Sequence, residues 1–347
     1  MKRLAICLAA VTVLLSGCQA FARQDTPIRF SHVYLEYFDT VTTVVGYETD
    51  QAVFDANCEK IAALLTDYHR LFDIYYRYDG MDNLCTLNAN AGKSPLVLDD
   101  RILDMLEFSQ QMHTLTGGKV NIAMGRVLRV WHDYRTEGTA DPAHAALPTE
   151  EELQSAACHS DIGNMIIDRE AGTAYLADPE MQLDVGAIGK GYAAECIARE
   201  MAQMGLSHYV LNIGGNIRAV GTDADGNAWL AGIQTPDEDG YSYKVSLSGQ
   251  ALVTSGDYQR YYTVNGVRYH HIIDPDTNMP CHTFRSVSVL CDDSGLGDAL
   301  STALFNMTYE EGRALAEQLP SCEVLWILSD GSMRCTDGFQ DKIVSEA

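Results

Sequence analysis

The chain is poor in positive charge: 24 Lys and Arg stand against 48 Asp and Glu, a formal net charge of −24. That balance excludes a nucleic-acid role, because phosphate-backbone binding rests on clustered cations. An anionic ligand would need local help from a metal ion, a lysine or backbone N–H groups. The ten cysteines contain no C-x-x-C pair, which removes a zinc ribbon and a thioredoxin-like motif. Repeats, low-complexity tracts and Pro-rich linkers are missing, and nine prolines are spread along the chain. No apolar run is long enough to span a bilayer. What is present, 347 residues with 46% hydrophobic and 21% charged, suffices for a sizeable core.

Lys2 and Arg3 precede the apolar run 4–15, which ends in Leu15-Ser16-Gly17-Cys18. The flanks are those of an export signal. An ordinary secretory signal with a chance cysteine is one reading. Small residues around Cys18 favour the other, a resemblance to the lipobox of bacterial lipoproteins. In those proteins cleavage precedes the cysteine, and the cysteine takes the lipids. Residues 1–17 are then a signal peptide, 18–30 a tether and 31–347 the catalytic domain. The product is exported and lipid-anchored on the extracytoplasmic face of a bacterial membrane. The eight further cysteines, Cys58 to Cys335, are compatible with disulfides and with free thiols alike.

Periodicity predicts strands over 40–47, 165–168, 173–176, 182–185, 209–213, 229–234, 261–264, 286–290 and 323–328. It predicts helices over 50–75, 102–115, 189–204, 298–306 and 309–319. Residues 79–93 and 133–149 read as polar loops. Strands and helices mix without strict alternation, which gives an α+β single domain rather than a doubly wound sheet.

Four segments combine glycines with acids, hydroxyls or histidines where strands end. In LDVGAIGKGYA (183–193) a strand runs through spaced glycines into a helix. Such a junction suits an anion on bare N–H groups, with Lys190 adding charge, or is simply a tight turn with Lys190 in solvent. In VLNIGGNI (210–217) the paired glycines, taken alone, read as a hairpin turn. TSGDY (254–258) is followed by YHHIIDP (269–275), where His271 is a candidate general base or a structural histidine. In GDALSTALF (297–305), Asp298 and Thr302 share a helix face and could hold a hard cation; Asp298 as a plain N-cap is the alternative.

These segments, in this order and at these spacings, resemble the ApbE-type flavin transferases (FAD:protein FMN transferases) over about residues 38–307. The resemblance implies a Mg²⁺ held by the Ala187 carbonyl, Asp298 and Thr302, with FAD as substrate. It places Phe38, Lys119, Val120, Asn121, Asp184, Lys190 and Ile272 along the FAD, and His271 at the reacting centre. Phe38 stands where the family has Met. The family's Gly-Ala-Phe-Asp-Pro-Thr stretch reads Gly118-Lys119-Val120-Asn121-Ile122-Ala123 here, and Ser301 replaces a second Asp of some members. The implied reaction moves FMN from FAD to a Ser or Thr hydroxyl of a partner protein, an extracytoplasmic electron-transfer subunit, and releases AMP. An FAD pyrophosphatase and a non-catalytic flavin-binding lipoprotein are the rival expectations.

Overall fold

A computed structural model describes residues 26–346, so the expected signal peptide and Cys18 lie outside the described residues. Along the chain run β1 (Ile28–Tyr34), β2 (Thr42–Glu48), α1 (Gln51–Phe72), α2 (Leu84–Ala89), β3 (Leu96–Val97) and α3 (Asp100–Leu115). Next come α4 (Gly125–Ala140), α5 (Glu150–Ala157), β4 (Met165–Asp168), β5 (Thr173–Leu176) and α6 (Gly189–Gln203). There follow β6 (His208–Ile213), β7 (Asn216–Gly221), β8 (Trp229–Gln234), β9 (Tyr241–Leu247), β10 (Ala251–Gly256), β11 (Tyr261–Val264) and β12 (Val267–His270). The last part holds β13 (Ile273–Asp274), β14 (Met279–Pro280), β15 (Phe284–Cys291), α7 (Ser294–Phe305), α8 (Tyr309–Ala316), β16 (Glu323–Leu328), β17 (Met333–Cys335), α9 (Asp337–Gln340) and β18 (Ile343–Glu346).

The frame is an eight-stranded antiparallel sheet in the order β1-β2-β6-β7-β10-β15-β16-β17. Period-two alternation sends its side chains to opposite faces. Val44, Leu211 and Ile213 join Phe54, Ile61, Ile102 and Ile197 in a core under α1, α3 and α6. Val287, Val289 and Trp326 pack against Leu300 and Leu304 of α7. On the other face Ala219, Leu252, Leu290 and Leu325 meet Trp229, Ile233 and Val245 of the three-stranded sheet β18-β9-β8. A fourth cluster joins Trp131 of α4 to Tyr262 of the β11–β12 hairpin. The expected α+β class is what the chain adopts. Among the described residues no helix is long and apolar enough to cross a membrane, and the cysteines from Cys58 to Cys335 are free thiols.

Several expected boundaries shift for identifiable reasons. The sheet begins at Ile28, so the last tether residues already pair with β2. The expected loop 79–93 contains α2, started by Asn83, whose side chain accepts from the Thr86 N–H. The expected loop 133–149 is helical as far as Ala140, because Val127 and Trp131 bury one face of α4. Residues 182–185 form no strand. They run extended between Asn88, whose side chain bonds both the N–H and the carbonyl of Leu183, and Ile122, whose carbonyl accepts from the Asp184 N–H. Helix α7 starts a turn earlier than expected. Asp293 is its N-cap, accepting from the Leu296 N–H, so Asp298 is not a cap of its own helix. The Gly214–Gly215 pair is the expected hairpin turn, with φ of 58° and 97° between β6 and β7.

Asp298 caps a different helix. Ile188, at the N-cap of α6, has no side chain able to accept a hydrogen bond. The buried Asp298 carboxylate does this from α7, its Oδ2 accepting from the Gly191 N–H at 2.8 Å. In return Glu195 of α6, also buried, accepts the Ser294 N–H at the start of α7 at 2.9 Å. Each helix thus supplies a carboxylate to the positive end of the other. Gly191 permits the approach: a Cβ there would collide with the Ser294 carbonyl and the Asp298 side chain.

Burial opposes ionisation of Glu195, but Arg218 at 2.7 Å, the Ser294 N–H and Arg199 prevail and hold its pKa below the ordinary value of 4.5. Glu195→Gln leaves Arg218 without its carboxylate and is expected to cost about 2–4 kcal/mol in chemical denaturation at pH 7. Because the folded-state pKa is depressed, the wild-type advantage is full above the unfolded value and shrinks as pH falls through the folded one. An advantage that stays constant from pH 7 down to complete acid unfolding would refute the assignment.

Candidate active site

The crossing of α6 and α7 brings together the glycine turn and the acidic helix face, as the proposed cation site requires. Asp298 Oδ2 is engaged by Gly191, with Lys190 Nζ at 3.7 Å. Among the described residues no hydrogen bond reaches Asp298 Oδ1. The diversion of the Gly191 N–H has a second effect. In an unbroken helix that group would bond the carbonyl four residues back, which belongs to Ala187. The Ala187 carbonyl therefore receives no hydrogen bond among the described residues, whereas that of Gly186 accepts from Lys190 Nζ at 2.9 Å. Thr302, half-buried and one turn after Asp298, likewise has its hydroxyl uncommitted.

One carboxylate oxygen, one main-chain carbonyl and one hydroxyl are thus left with spare lone pairs. This is a donor set for a hard cation that completes its shell with phosphate and water. Among the described residues no group of three His, Cys, Asp or Glu side chains could hold a metal by itself. Ser301 is not part of the set. It is fully buried, and its hydroxyl lies 2.8 Å from Ser255 Oγ and donates to the Asp298 carbonyl at 3.0 Å.

The two adjacent histidines separate cleanly. His270 Nε2 lies 2.6 Å from the Cys281 carbonyl and its Nδ1 accepts from the Ile272 N–H, so both ring nitrogens are used. Burial lowers its pKa to about 4. His271 is tied only through its backbone, donating to the Arg260 carbonyl at 3.1 Å, and its Nδ1 is buried without a partner. Burial, helped by His270, Arg260, Arg135 and Lys190, pulls its pKa down to about 3. The imidazole is therefore neutral at ordinary pH, with its buried Nδ1 unpartnered.

Asp184 is half-buried, with Oδ1 accepting from the Gly186 N–H at 2.8 Å. Desolvation raises its pKa against that hydrogen bond and the charges of Lys190, His132 and Arg260. Phe38 sits in a left-handed turn with Asp39, at φ of 54° and 51°. Its N–H donates to His69 Nδ1 and its ring packs edge-on against the same imidazole. Arg260 Nη2 donates to the Asp39 carbonyl at 2.9 Å. One residue thus links the Phe38 turn to the backbone of His271.

The remaining expected ligand residues are largely committed within the protein. Lys119 Nζ makes 2.8 Å ion pairs with Asp274 and Asp276. Burial works against its charge, yet the two carboxylates raise its pKa. Asn121 donates to the Ser160 carbonyl and accepts from the Ala123 N–H, so a ligand bond to it would displace one of these. Val120 and Ile272 are buried. A crevice of about 220 Å³ bounded by Asp104, Glu107, Tyr192 and Arg199 includes none of the candidate residues.

The sequence reading missed Tyr75, Arg135 and Arg260. Tyr75 is 60% exposed, yet Asp184, Arg260 and Arg135 all act on its phenol. Arg135 lay in the supposed loop, although Val127, Leu128 and Trp131 already marked a helix through it.

In a ¹⁵N-histidine NMR titration of the free protein, His271 is expected to stay neutral from pH 8 to about pH 4, in keeping with the desolvation of its ring. A His271 resonance titrating near the ordinary 6.5 would show that the ring is solvated.

Comparison with known proteins agrees with this geometry. The ApbE family model matches residues 38–326. An FAD:protein FMN transferase of Treponema pallidum (strain Nichols) is 34% identical over 276 residues, covering 75% of this chain and 74% of the relative. Among solved structures, the flavin transferase ApbE from Vibrio cholerae superposes with a TM-score of 0.76 at 25% identity, over 91% of this chain and 99% of that one. The ApbE protein of Thermotoga maritima reaches 0.80 at 24% identity, over 92% and 100%, and supports the fold. With the family model matching residues 38–326 and a relative 34% identical over three quarters of its length, the chain belongs to the ApbE family.

Proposed function

We propose that the chain is an FAD:protein FMN transferase, acting with Mg²⁺ on a Ser or Thr hydroxyl of a partner protein. The observation that carries this reading is the meeting of the 183–193 turn with α7, which leaves Asp298 Oδ1, the Ala187 carbonyl and the Thr302 hydroxyl facing no protein donor. These three groups would hold Mg²⁺, which when bound withdraws charge from a diphosphate. Lys190 adds a positive charge on the same side. His271, neutral and with an uncommitted buried nitrogen, takes the proton of the acceptor hydroxyl. The hydroxyl oxygen forms a bond to the flavin-side phosphorus, and the bond from that phosphorus to the bridging oxygen breaks. AMP departs with that oxygen, and the proton held by His271 passes to solvent. The product is a phosphodiester between FMN and the acceptor side chain.

Two further features belong to the reading. The export signal and Cys18 support anchoring on the extracytoplasmic face, where a membrane-associated electron-transfer subunit is the natural acceptor. Asp184, its charge disfavoured by burial, suits a hydrogen bond to the flavin or ribose rather than an ion pair.

Asp298→Asn separates the two duties of this residue. The amide oxygen can still accept from Gly191, so folding is expected to survive, while the anionic ligand is lost. Mg²⁺-dependent transfer of FMN, read as added mass on an intact co-expressed acceptor, should fall by at least about 10²-fold. Full transfer by a folded Asp298→Asn protein would end the metal assignment. Incubation with FAD and Mg²⁺ but no acceptor should release little AMP; rapid release would make the enzyme a pyrophosphatase.

A further inference from the structure

In a chain this acidic, most buried or half-buried cations should find a carboxylate. Among the arginines of the described residues, Arg29, Arg70, Arg77 and Arg334 have no such partner, and all four are exposed. Arg135 also has none, but it is half-buried. Its polar contact is with a ring nitrogen, Nη2 donating to His132 Nδ1 at 3.2 Å on the same helix.

The fold holds this arginine in place at some cost. Helix α4 is pinned over the β11–β12 hairpin by Trp131, which donates to the Asn278 carbonyl at 2.8 Å and stacks on Tyr269. Further along, Gly138 lies against the Tyr262 ring so closely that a Cβ would clash. The helix therefore cannot retreat, and Arg135 is set where burial and the charge of Arg260 both disfavour its own. Arg260 is spoken for, since it holds the Asp39 carbonyl. Lys190 is spoken for on the metal side. Arg135 lies on the same face of α4 as Trp131 and Gly138, which pack on the hairpin leading to His271, and its charge acts on that ring, whose Nδ1 is buried and unpartnered. The result is a guanidinium without an ion-pair partner, reached by the charge of Asp184 but not bonded to it, beside an imidazole whose Nδ1 is bare.

We propose that Arg135 is a second phosphate-binding group of the cleft, donating to a non-bridging oxygen of the phosphoryl group under attack, on the side of His271. This rests on the transferase reading above. A guanidinium suits the task because it presents planar, charge-assisted donors to a phosphate and never deprotonates. Because it stands beside the proton acceptor, its interaction grows as charge builds on the equatorial oxygens during transfer. His132 is a positioning residue: its Nδ1 orients the guanidinium without neutralising it.

The test uses the full-length protein with Mg²⁺, FAD and a co-purified acceptor. Arg135→Gln keeps a donor for His132 but removes the charge, and Arg135→Lys keeps the charge without the fork. For Arg135→Gln, kcat is expected to drop about 10²-fold. Flavin fluorescence should show FAD binding weakened about tenfold and riboflavin binding unchanged, since riboflavin has no phosphate. Arg135→Lys should recover part of both losses. The proposal is overturned if Arg135→Gln retains kcat and FAD affinity within about twofold. It is also overturned if riboflavin and FAD binding fall together, which would mark a structural role. Failure of the transferase reading looks different: wild-type protein would then transfer no FMN while still preferring FAD to riboflavin through Arg135.

Discussion

The structure turns on one helix crossing. α6 and α7 can approach closely only because Gly191 has no side chain, and the approach places a carboxylate from each helix on the first turn of the other. The exchange stabilises both helix starts, which otherwise end in unsatisfied N–H groups. It also makes the site. By taking the Gly191 N–H, Asp298 commits one oxygen to folding and leaves the other unbonded, and it strips the Ala187 carbonyl of its usual donor. A residue read from sequence as either a cation ligand or a cap of its own helix is thus the cap of another, so alanine at this position would confound loss of fold with any loss of ligand. The buried pair of Glu195 and Arg218 has only the structural half of this duty, at the opposite end of the same contact.

Charge is distributed against the average of the molecule. A chain with a net −24 gathers Arg135, Arg260 and Lys190 around His271. Like charges brought together in a partly desolvated cleft are unfavourable, and proteins tolerate such arrangements mainly where an anion is to be received. Burial, helped by the same cations, keeps His271 neutral. Burial is the larger cause of its weak basicity, and the cations add to it; on the proposed reading a bound diphosphate would offset only the cations' share.

Much of this was legible beforehand, and the pattern of what was missed has physical reasons. Strands such as 173–176 and 229–234 and helix α6 announced themselves by period and by flanking glycines, and they stand where expected. The glycine turn and the Asp298–Thr302 face were readable because backbone conformation and i,i+4 spacing are local. What local reasoning could not give was trans capping. Asp298 was weighed as the cap of its own helix, whereas it caps one 107 residues away in sequence. Nor could it tell His270 from His271, since the difference lies in a carbonyl of Cys281 supplied by the following turn. Residues 182–185 have a strand's sequence but pair with an asparagine side chain instead of a strand. Arg135 was hidden by composition: Thr, Gly and Ala near residue 139 suggested a loop, although the buried Trp131 had already committed the segment to a helix.

Taken together, the uncommitted groups form two complementary sets. Asp298 Oδ1, the Ala187 carbonyl and the Thr302 hydroxyl are acceptors suited to a cation; Arg135 and Lys190, whose charges both act on His271, suit an anion. Filling only one set is unfavourable. A divalent cation alone would sit beside Lys190 with no phosphate to offset it, and a diphosphate alone would lie against the Asp298 carboxylate. On the proposed reading, metal and dinucleotide therefore bind as a unit, each raising the affinity for the other by the same factor. The positive coupling does not need a moving lid. It follows from holding Asp298 and Lys190 3.7 Å apart on two helices that Gly191 allows to touch.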